Sequence, residues 1–179
     1  MNCVDLLLLK KMKAAGCHLI LFGVETADKT IQKTIKKSLS LEKVKESVAL
    51  AKSAGLDTRV SFMFGNPGET EDTMKKTLNF ALELDPDEVH FNITTVFPGT
   101  EMYDWAKKNR YINSNDWSRY NESEIVMELP TVSKSLLLKH YKAAHLKFYL
   151  RKKVIFRRLK KISTFTQLRQ ELRGLLAIL

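Results

Sequence analysis

Three apolar runs of the sequence carry polar side chains near their ends, where these side chains could bind a ligand rich in hydroxyl groups. Glu25 ends the run HLILFGVE, Ser61 and Met63 lie in TRVSFMFG, and Thr94 lies in VHFNITTVF. A carboxylate accepts hydrogen bonds from hydroxyls, and a serine hydroxyl both donates and accepts, so Glu25 and Ser61 suit a diol such as a ribose. The glycines of the GNPG stretch after the second run would let the backbone approach a flat ring closely.

Each of these features also has a purely structural interpretation. Gly, Asn and Pro are common in turns between strands and helices, so GNPG alone predicts only a turn. Glu25 alone could cap a helix or form an ion pair. The presence of polar groups near the ends of all three runs favours a binding site.

The three runs have the length of strands and alternate with segments of helical spacing. Strands are predicted at 18–25, 58–65 and 89–97. Helices are predicted at 5–15 and 41–54, and three more begin at 71, after the PGT turn at 98–100, and at 133, the last of them running to the end of the sequence. Strands separated by helices are parallel strands joined by crossovers. The predicted fold class is therefore α/β, with helices covering at least one face of the sheet.

Alternation along each strand predicts which side chains face the helices. In the second strand the apolar set is Val60, Phe62 and Phe64, which leaves Ser61 and Met63 on the opposite, site-bearing face. In the first strand the same rule assigns to the helix-facing side His18, Ile20, Phe22 and Val24, and to the site-bearing side Leu19, Leu21, Gly23 and Glu25. In the third strand it assigns to the helix-facing side Val89, Phe91, Ile93 and Phe97, and to the site-bearing side His90, Asn92, Thr94 and Val96. Ligands of parallel α/β folds lie beyond the carboxyl ends of the strands, where Glu25 is expected.

Composition and residue spacing argue against a disulfide-rich, metal-binding or membrane-spanning protein. The chain has 179 residues, is 44% hydrophobic and carries a net charge of +10, but residues 1–130 have a net charge of −2 and residues 131–179 one of +12. The two cysteines, Cys3 and Cys17, form neither a disulfide framework nor a metal motif, and the four histidines show no metal-binding spacing. The first apolar run is too short for a signal peptide or a membrane span, so a cytoplasmic location is expected.

The basic tail, LKFYLRKKVIFRRLKKI, mixes apolar and cationic residues at helical spacing. One interpretation is a helix that docks on the fold and turns a cationic face to solvent. A second is contact with an anionic membrane surface through residues 133–179, which would make the protein membrane-peripheral. Nucleic acid is not an expected partner, because no nucleic-acid-binding motif accompanies the charge.

Three stretches together resemble the second half of a radical S-adenosylmethionine (SAM) core. They are GCHLILFGVET, KSAGLDTRVSFMFGNPGETEDTM and VHFNITTVFPGTEMYDWAKKN. They are most similar to enzymes that carry an N-terminal cobalamin-binding domain, a group that includes anaerobic magnesium-protoporphyrin IX monomethyl ester cyclase-like proteins. The resemblance covers residues 5–112 and continues more weakly into the basic tail.

The resemblance implies half of a partial (β/α)6 barrel and a set of cofactor contacts. In this family SAM and a [4Fe-4S] cluster generate a 5′-deoxyadenosyl radical, in some members with cobalamin. By position, Glu25 and Ser61 would bind the SAM ribose, and Met63 would contact the adenine. Lys37, in the helix after Glu25, would bind the SAM carboxylate. Thr94 would be the contact from the sixth strand. The CxxxCxxC loop that holds the cluster in the family does not occur in these 179 residues.

Three segments and two functions are therefore predicted. Residues 1–112 are expected to form the half-barrel, 113–132 an irregular linker, and 133–179 a basic helical extension. The first function is the C-terminal portion of a radical SAM enzyme, inactive alone, with an N-terminal half supplied in cis or in trans. The alternative is a non-catalytic α/β binding module that works with such a partner. The motifs do not specify a substrate.

Overall fold

A three-stranded parallel sheet organises the chain in the computed structural model, which describes residues 4–121, 123–162, 164 and 169. The strands are β1 (Leu19–Glu25), β2 (Asp57–Phe64) and β3 (Glu88–Ile93), adjacent in that order. The helices are α1 (Leu6–Ala14), α2 (Lys29–Thr34), α3 (Leu41–Ser53), α4 (Glu71–Leu84), α5 (Glu101–Lys108), α6 (Lys134–Tyr149) and α7 (Lys152–Lys161), with a 3₁₀ turn at Trp117–Arg119. The predicted α/β class with three parallel strands is confirmed.

Short polar side chains begin the helices that follow the strands. Ser40 accepts a hydrogen bond from the backbone N–H of Lys43 at the start of α3. Thr70 and Thr73 form a reciprocal capping box at the start of α4. Such caps satisfy N–H groups that have no partner within the helix, which explains why both helices begin directly after these residues.

One face of the sheet packs against α3, α4 and α6 and forms the main core. Val60, Phe62 and Phe64 are buried there, and the Phe91 ring stacks on those of Phe62 and Phe64 at centroid distances of 5.6 and 5.4 Å. Phe22, Val24, Val89 and Ile93 are buried in the same cluster. The helix-facing set predicted from the alternation is therefore confirmed for these residues.

The opposite face of the sheet is partly open to solvent along its length. Leu21 is exposed, and Ser61, Met63 and Asn92 are half-buried. This asymmetry follows from the period of two, which directs Val60, Phe62 and Phe64 to the helices and the residues between them to the opposite side. We call this surface the open face.

The third strand is shorter than predicted. It ends at Ile93, so the alternation expected up to residue 97 is wrong beyond that point. Phe97 is exposed, whereas Val96 is buried in a second cluster with Ala106 and Met127. Beyond the strand, the Thr95 hydroxyl donates to the carbonyl of Asn121, 2.8 Å away, in the segment that follows α5.

The segment predicted as an irregular linker, 113–132, packs closely on the rest of the fold. Ile112 pairs with Met127 and Leu129 with Val132 in isolated antiparallel bridges, and Ile125 and Val132 join the main core. The basic extension forms α6 and α7 up to Lys161, and its predicted helical continuation lies outside the described residues except for 162, 164 and 169. Across the described chain, no helix is both long and apolar enough to cross a membrane.

Candidate functional site

Glu25 occupies a strained turn at the carboxyl end of β1. Its φ angle is +68°, and the N–H of Thr26 donates to the carbonyl of Val24 at 2.9 Å, which defines a γ-turn centred on Glu25. The β1–β2 register also shifts between Gly23 and Glu25. Bulges redirect side chains, and positive φ values at residues other than glycine concentrate at functional sites. The turn at Glu25, and not the alternation of the strand, therefore sets the direction of the Glu25 carboxylate.

The carboxylate of Glu25 lies over Gly23 and pairs with Lys37. A Cβ atom at position 23 would stand 2.8 Å from Glu25 Oε1, so glycine is needed for this arrangement. Lys37 Nζ donates to Oε1 at 2.7 Å. The carboxylate has a second oxygen, Oε2, which can accept a hydrogen bond from a ligand hydroxyl.

Lys37 reaches this position from a turn and not, as predicted, from a helix. Helix α2 ends at Thr34, and Lys36 adopts a left-handed conformation with a φ angle of +56°. The N–H of Lys37 then donates to the carbonyl of Gln32 at 2.8 Å, which closes a Schellman-type helix end. This turn brings Lys37 back to Glu25, so its ammonium group stands beside the predicted ribose contact.

Ser61 and Met63 share the open face with Gly23 and Glu25. Gly23 is the register partner of Ser61, and Ser61 Oγ accepts a hydrogen bond from Asn92 Nδ2 at 3.2 Å. Met63 is the register partner of Asn92. The face thus offers a carboxylate, a hydroxyl, an amide and a thioether, and the amide belongs to Asn92, which was predicted on this face but not as a cofactor contact.

Thr94 is bonded to the GNPG turn at the end of β3. Its side chain is buried, and its hydroxyl donates to Asn66 Oδ1 at 3.1 Å. Asn66 in turn donates from Nδ2 to the carbonyl of Met63 at 3.0 Å. Thr94 therefore links the GNPG turn to the end of β3, and its hydroxyl is already bonded within the protein.

Glu69 is a buried carboxyl group that the sequence analysis did not identify. Its Oε2 accepts from the N–H groups of Gly65 and Asn66 at 2.5 and 3.0 Å, while Oε1 is buried without a hydrogen-bond partner. Burial raises the pKa of Glu69 to about 7, against the opposing effect of these two N–H groups. The sequence signal was an acidic residue between the turn and the N-cap Thr70, which resembles an ordinary helix start.

Two further observations limit the location and type of the site. A surface pocket of about 390 Å³ lies beside α5, lined by residues that include Pro67, Met102 and Trp105, and none of the five predicted residues lines it. Within the described part of the chain, no group of three or more His, Cys, Asp or Glu side chains could hold a metal ion.

Comparison with known proteins decides the family. Residues 2–81 match the family model of the radical SAM superfamily. An uncharacterized methyltransferase of Pyrococcus horikoshii is 33% identical over 169 residues, 94% of this chain and 37% of the relative. The chain belongs to the radical SAM superfamily. The radical SAM chain also matches the anaerobic magnesium-protoporphyrin IX monomethyl ester cyclase of Cereibacter sphaeroides, at 26% identity over 81% of its length and 23% of the cyclase.

Solved structures agree on the fold. The radical SAM methyltransferase TsrM from Kitasatospora setae, described with cobalamin and a [4Fe-4S] cluster bound, superposes with a TM-score of 0.56 at 23% identity. The match covers 63% of this radical SAM chain and 23% of TsrM. The predicted resemblance to magnesium-protoporphyrin IX monomethyl ester cyclase-like proteins is confirmed by the match to the Cereibacter sphaeroides cyclase. The chain spans only about a third or less of the length of the proteins it matches.

Proposed function

We propose that the open face binds the nucleoside part of SAM in a radical SAM enzyme of which this chain forms one portion. The observation that carries the proposal is the arrangement of Glu25, Ser61 and Met63 on one uncovered sheet face, in a chain of this superfamily. Glu25 Oε2 would accept from the ribose hydroxyls and Ser61 Oγ would add a donor or acceptor beside them. The Met63 side chain would contact the adenine ring.

The residues fit SAM chemically. The Glu25 side chain is mostly buried, which strengthens its hydrogen bonds to hydroxyls, and Lys37 holds the carboxylate in position through Oε1. The absence of a Cβ atom at Gly23 makes room for the Glu25 carboxylate and the Lys37 ammonium group in this arrangement. When bound at a reduced cluster, SAM supplies radical chemistry. The contribution of this chain is to bind and orient the nucleoside and to exclude water from it.

A [4Fe-4S] cluster and cobalamin would come from a partner segment. The 179 residues contain only Cys3 and Cys17, and three closely spaced thiolates are needed to leave one iron free for SAM. Cobalamin is proposed because the TsrM structure contains it and the cyclase relative belongs to the group that the sequence resembles. The partner segment would supply these cofactors either in the same polypeptide or in a separate one.

The same two-cysteine count also supports the alternative, a non-catalytic module that binds a partner. Formation of 5′-deoxyadenosine separates the two functions. DNA in frame upstream, or an adjacent gene, is expected to encode CxxxCxxC. The protein assembled with that segment, loaded anaerobically with iron and sulfide and then reduced, should cleave SAM to 5′-deoxyadenosine and methionine.

The 179-residue chain is the control in this experiment. Treated in the same way, it should retain no stable cluster and release no 5′-deoxyadenosine. A stoichiometric charge-transfer absorption that survives desalting of the chain alone would contradict the requirement for a partner segment. Failure of the assembled, cluster-containing protein to cleave SAM would contradict the enzymatic function and leave the binding module.

A further inference from the structure

Helix α7 presents an exposed surface that combines apolar and cationic side chains. Phe156 is 64% exposed, Leu159 52% and Ile155 36%, and Lys152 and Lys160 are exposed as well. We call these five residues the α7 face. We propose that the α7 face docks the protein onto the surface of an anionic lipid bilayer.

Helical geometry places the five residues on one side of α7. At 100° per residue, Lys152, Phe156 and Leu159 fall within a sector of about 60°, with Ile155 and Lys160 on either flank. Val154 projects to the opposite side and is fully buried. The exposed apolar residues are therefore a continuous surface and not scattered single side chains.

The inner side of α7 is held by ion pairs with the turn that precedes β3. Arg151 Nη2 lies 2.9 Å from Asp85, Lys153 Nζ lies 3.1 Å from it, and Arg157 Nη2 donates to the carbonyl of Pro86 at 2.6 Å. These contacts fix the orientation of the helix and use the cations that face inward. Among the described residues, Lys152 and Lys160 have no ion-pair partner, so their charge is available to an external anion.

Charge and apolarity together select a bilayer as the partner. Residues 131–179 contain 13 Lys and Arg but a single acidic residue. Lys160 lies with Phe156 at a shallow groove, so a cation stands beside an aromatic ring where a phosphate headgroup would bind. An interfacial helix buries apolar side chains at the acyl boundary while its lysines meet anionic headgroups. Nucleic acid would use the lysines but leave Leu159 and Ile155 without a role.

Docking through α7 would also orient the proposed SAM site. The helix packs on Asp85 and Asp87, at the amino ends of the strands, whereas Glu25 stands at the carboxyl end of β1. The bilayer and the site would therefore lie at opposite edges of the sheet. Membrane contact would leave access to the site unobstructed.

Co-sedimentation of the 179-residue chain with lipid vesicles tests the proposal. The chain should bind vesicles containing about 30% phosphatidylserine and not pure phosphatidylcholine, and binding should weaken at least tenfold between roughly 0.05 and about 0.5 M NaCl. Lys152→Gln combined with Lys160→Gln should lower the partition coefficient roughly 25-fold, about fivefold per lysine. Phe156→Ser should lower it about tenfold through lost burial of the ring.

A matched control separates the α7 face from net charge. Lys107→Gln combined with Lys108→Gln removes the same charge from exposed positions on α5 and should leave vesicle binding nearly unchanged. Urea unfolding of each variant confirms that the fold is intact. Equal losses in both double variants, or no binding of the full chain to anionic vesicles at low salt, would overturn the proposal. Binding of duplex RNA that depends on Lys152 and Lys160 but not on Phe156, without vesicle binding, would overturn it in favour of nucleic acid.

Discussion

Replacing the buried Glu69 by glutamine should change how the stability of the fold depends on pH. Burial raises the pKa of Glu69 from 4.5 to about 7 in the folded chain. Between these values the folded chain keeps a proton that the unfolded chain has released, so stability falls as pH rises through the window. The stabilisation is complete below pH 4.5 and lost above the folded pKa. A shift of this size corresponds to about 3 kcal/mol at 1.36 kcal/mol per pKa unit.

Glu69→Gln keeps an oxygen that can accept from the N–H groups of Gly65 and Asn66 but cannot ionise. The wild type should lose about 3 kcal/mol of this stabilisation from about pH 4 to about pH 8, and the variant should not. The free energy of unfolding of the variant minus that of the wild type should therefore increase by about 3 kcal/mol over this range. Urea unfolding followed by circular dichroism across this range measures the difference. His145, whose pKa is lowered by burial, titrates in both proteins and cancels, and Asp28, whose pKa is lowered in the folded chain, remains ionised there across this range. A difference that stays constant with pH would refute the assignment of a raised pKa to Glu69.

Two further predictions concern the core and the edge of the sheet. Phe62→Ala should lower the free energy of unfolding by about 3 to 5 kcal/mol, because the ring is fully buried against Phe91, whereas Met63→Ala on the open face should cost less than half as much. Equal costs in urea unfolding would contradict the face assignment. Tyr149→Phe should cost about 1 to 3 kcal/mol, because the Tyr149 hydroxyl donates to the carbonyl of Val89 and accepts from its N–H. The Val89 amide should then exchange hydrogen faster, and unchanged exchange would argue against this role.

The faces of the strands were predictable because they follow from local alternation. Val60, Phe62 and Phe64 can be buried together only if Ser61 and Met63 point the other way, whatever the rest of the fold does. The same alternation failed after Ile93, where β3 ends and the Thr95 hydroxyl bonds Asn121, 26 residues further along the chain. A periodic pattern carries no information about such a long-range contact.

The remaining site features depend on backbone conformations that residue types do not reveal. The positive φ of Glu25 and the left-handed Lys36 bring Lys37 to the carboxylate, yet neither residue is a glycine that would signal a turn. Asn66 and Thr94 resembled turn and strand residues, but in the structure they bond each other across two chain segments. Glu69 was missed because burial of a carboxyl group depends on tertiary packing around the turn.

The affinity for SAM of the Glu25→Gln variant tests the central claim most directly. In the protein assembled with its cluster-bearing segment, loss of the charged hydrogen bonds should raise the SAM dissociation constant roughly ten- to a hundredfold, equivalent to about 1.5 to 3 kcal/mol. Glu88→Gln is the matched control, because Glu88 is also paired, with Arg59 at 2.7 Å, but begins β3 at the amino end of the sheet. SAM affinity should be unchanged in Glu88→Gln and reduced in Glu25→Gln. Equal affinity of the Glu25→Gln variant and the wild type for SAM would contradict the account.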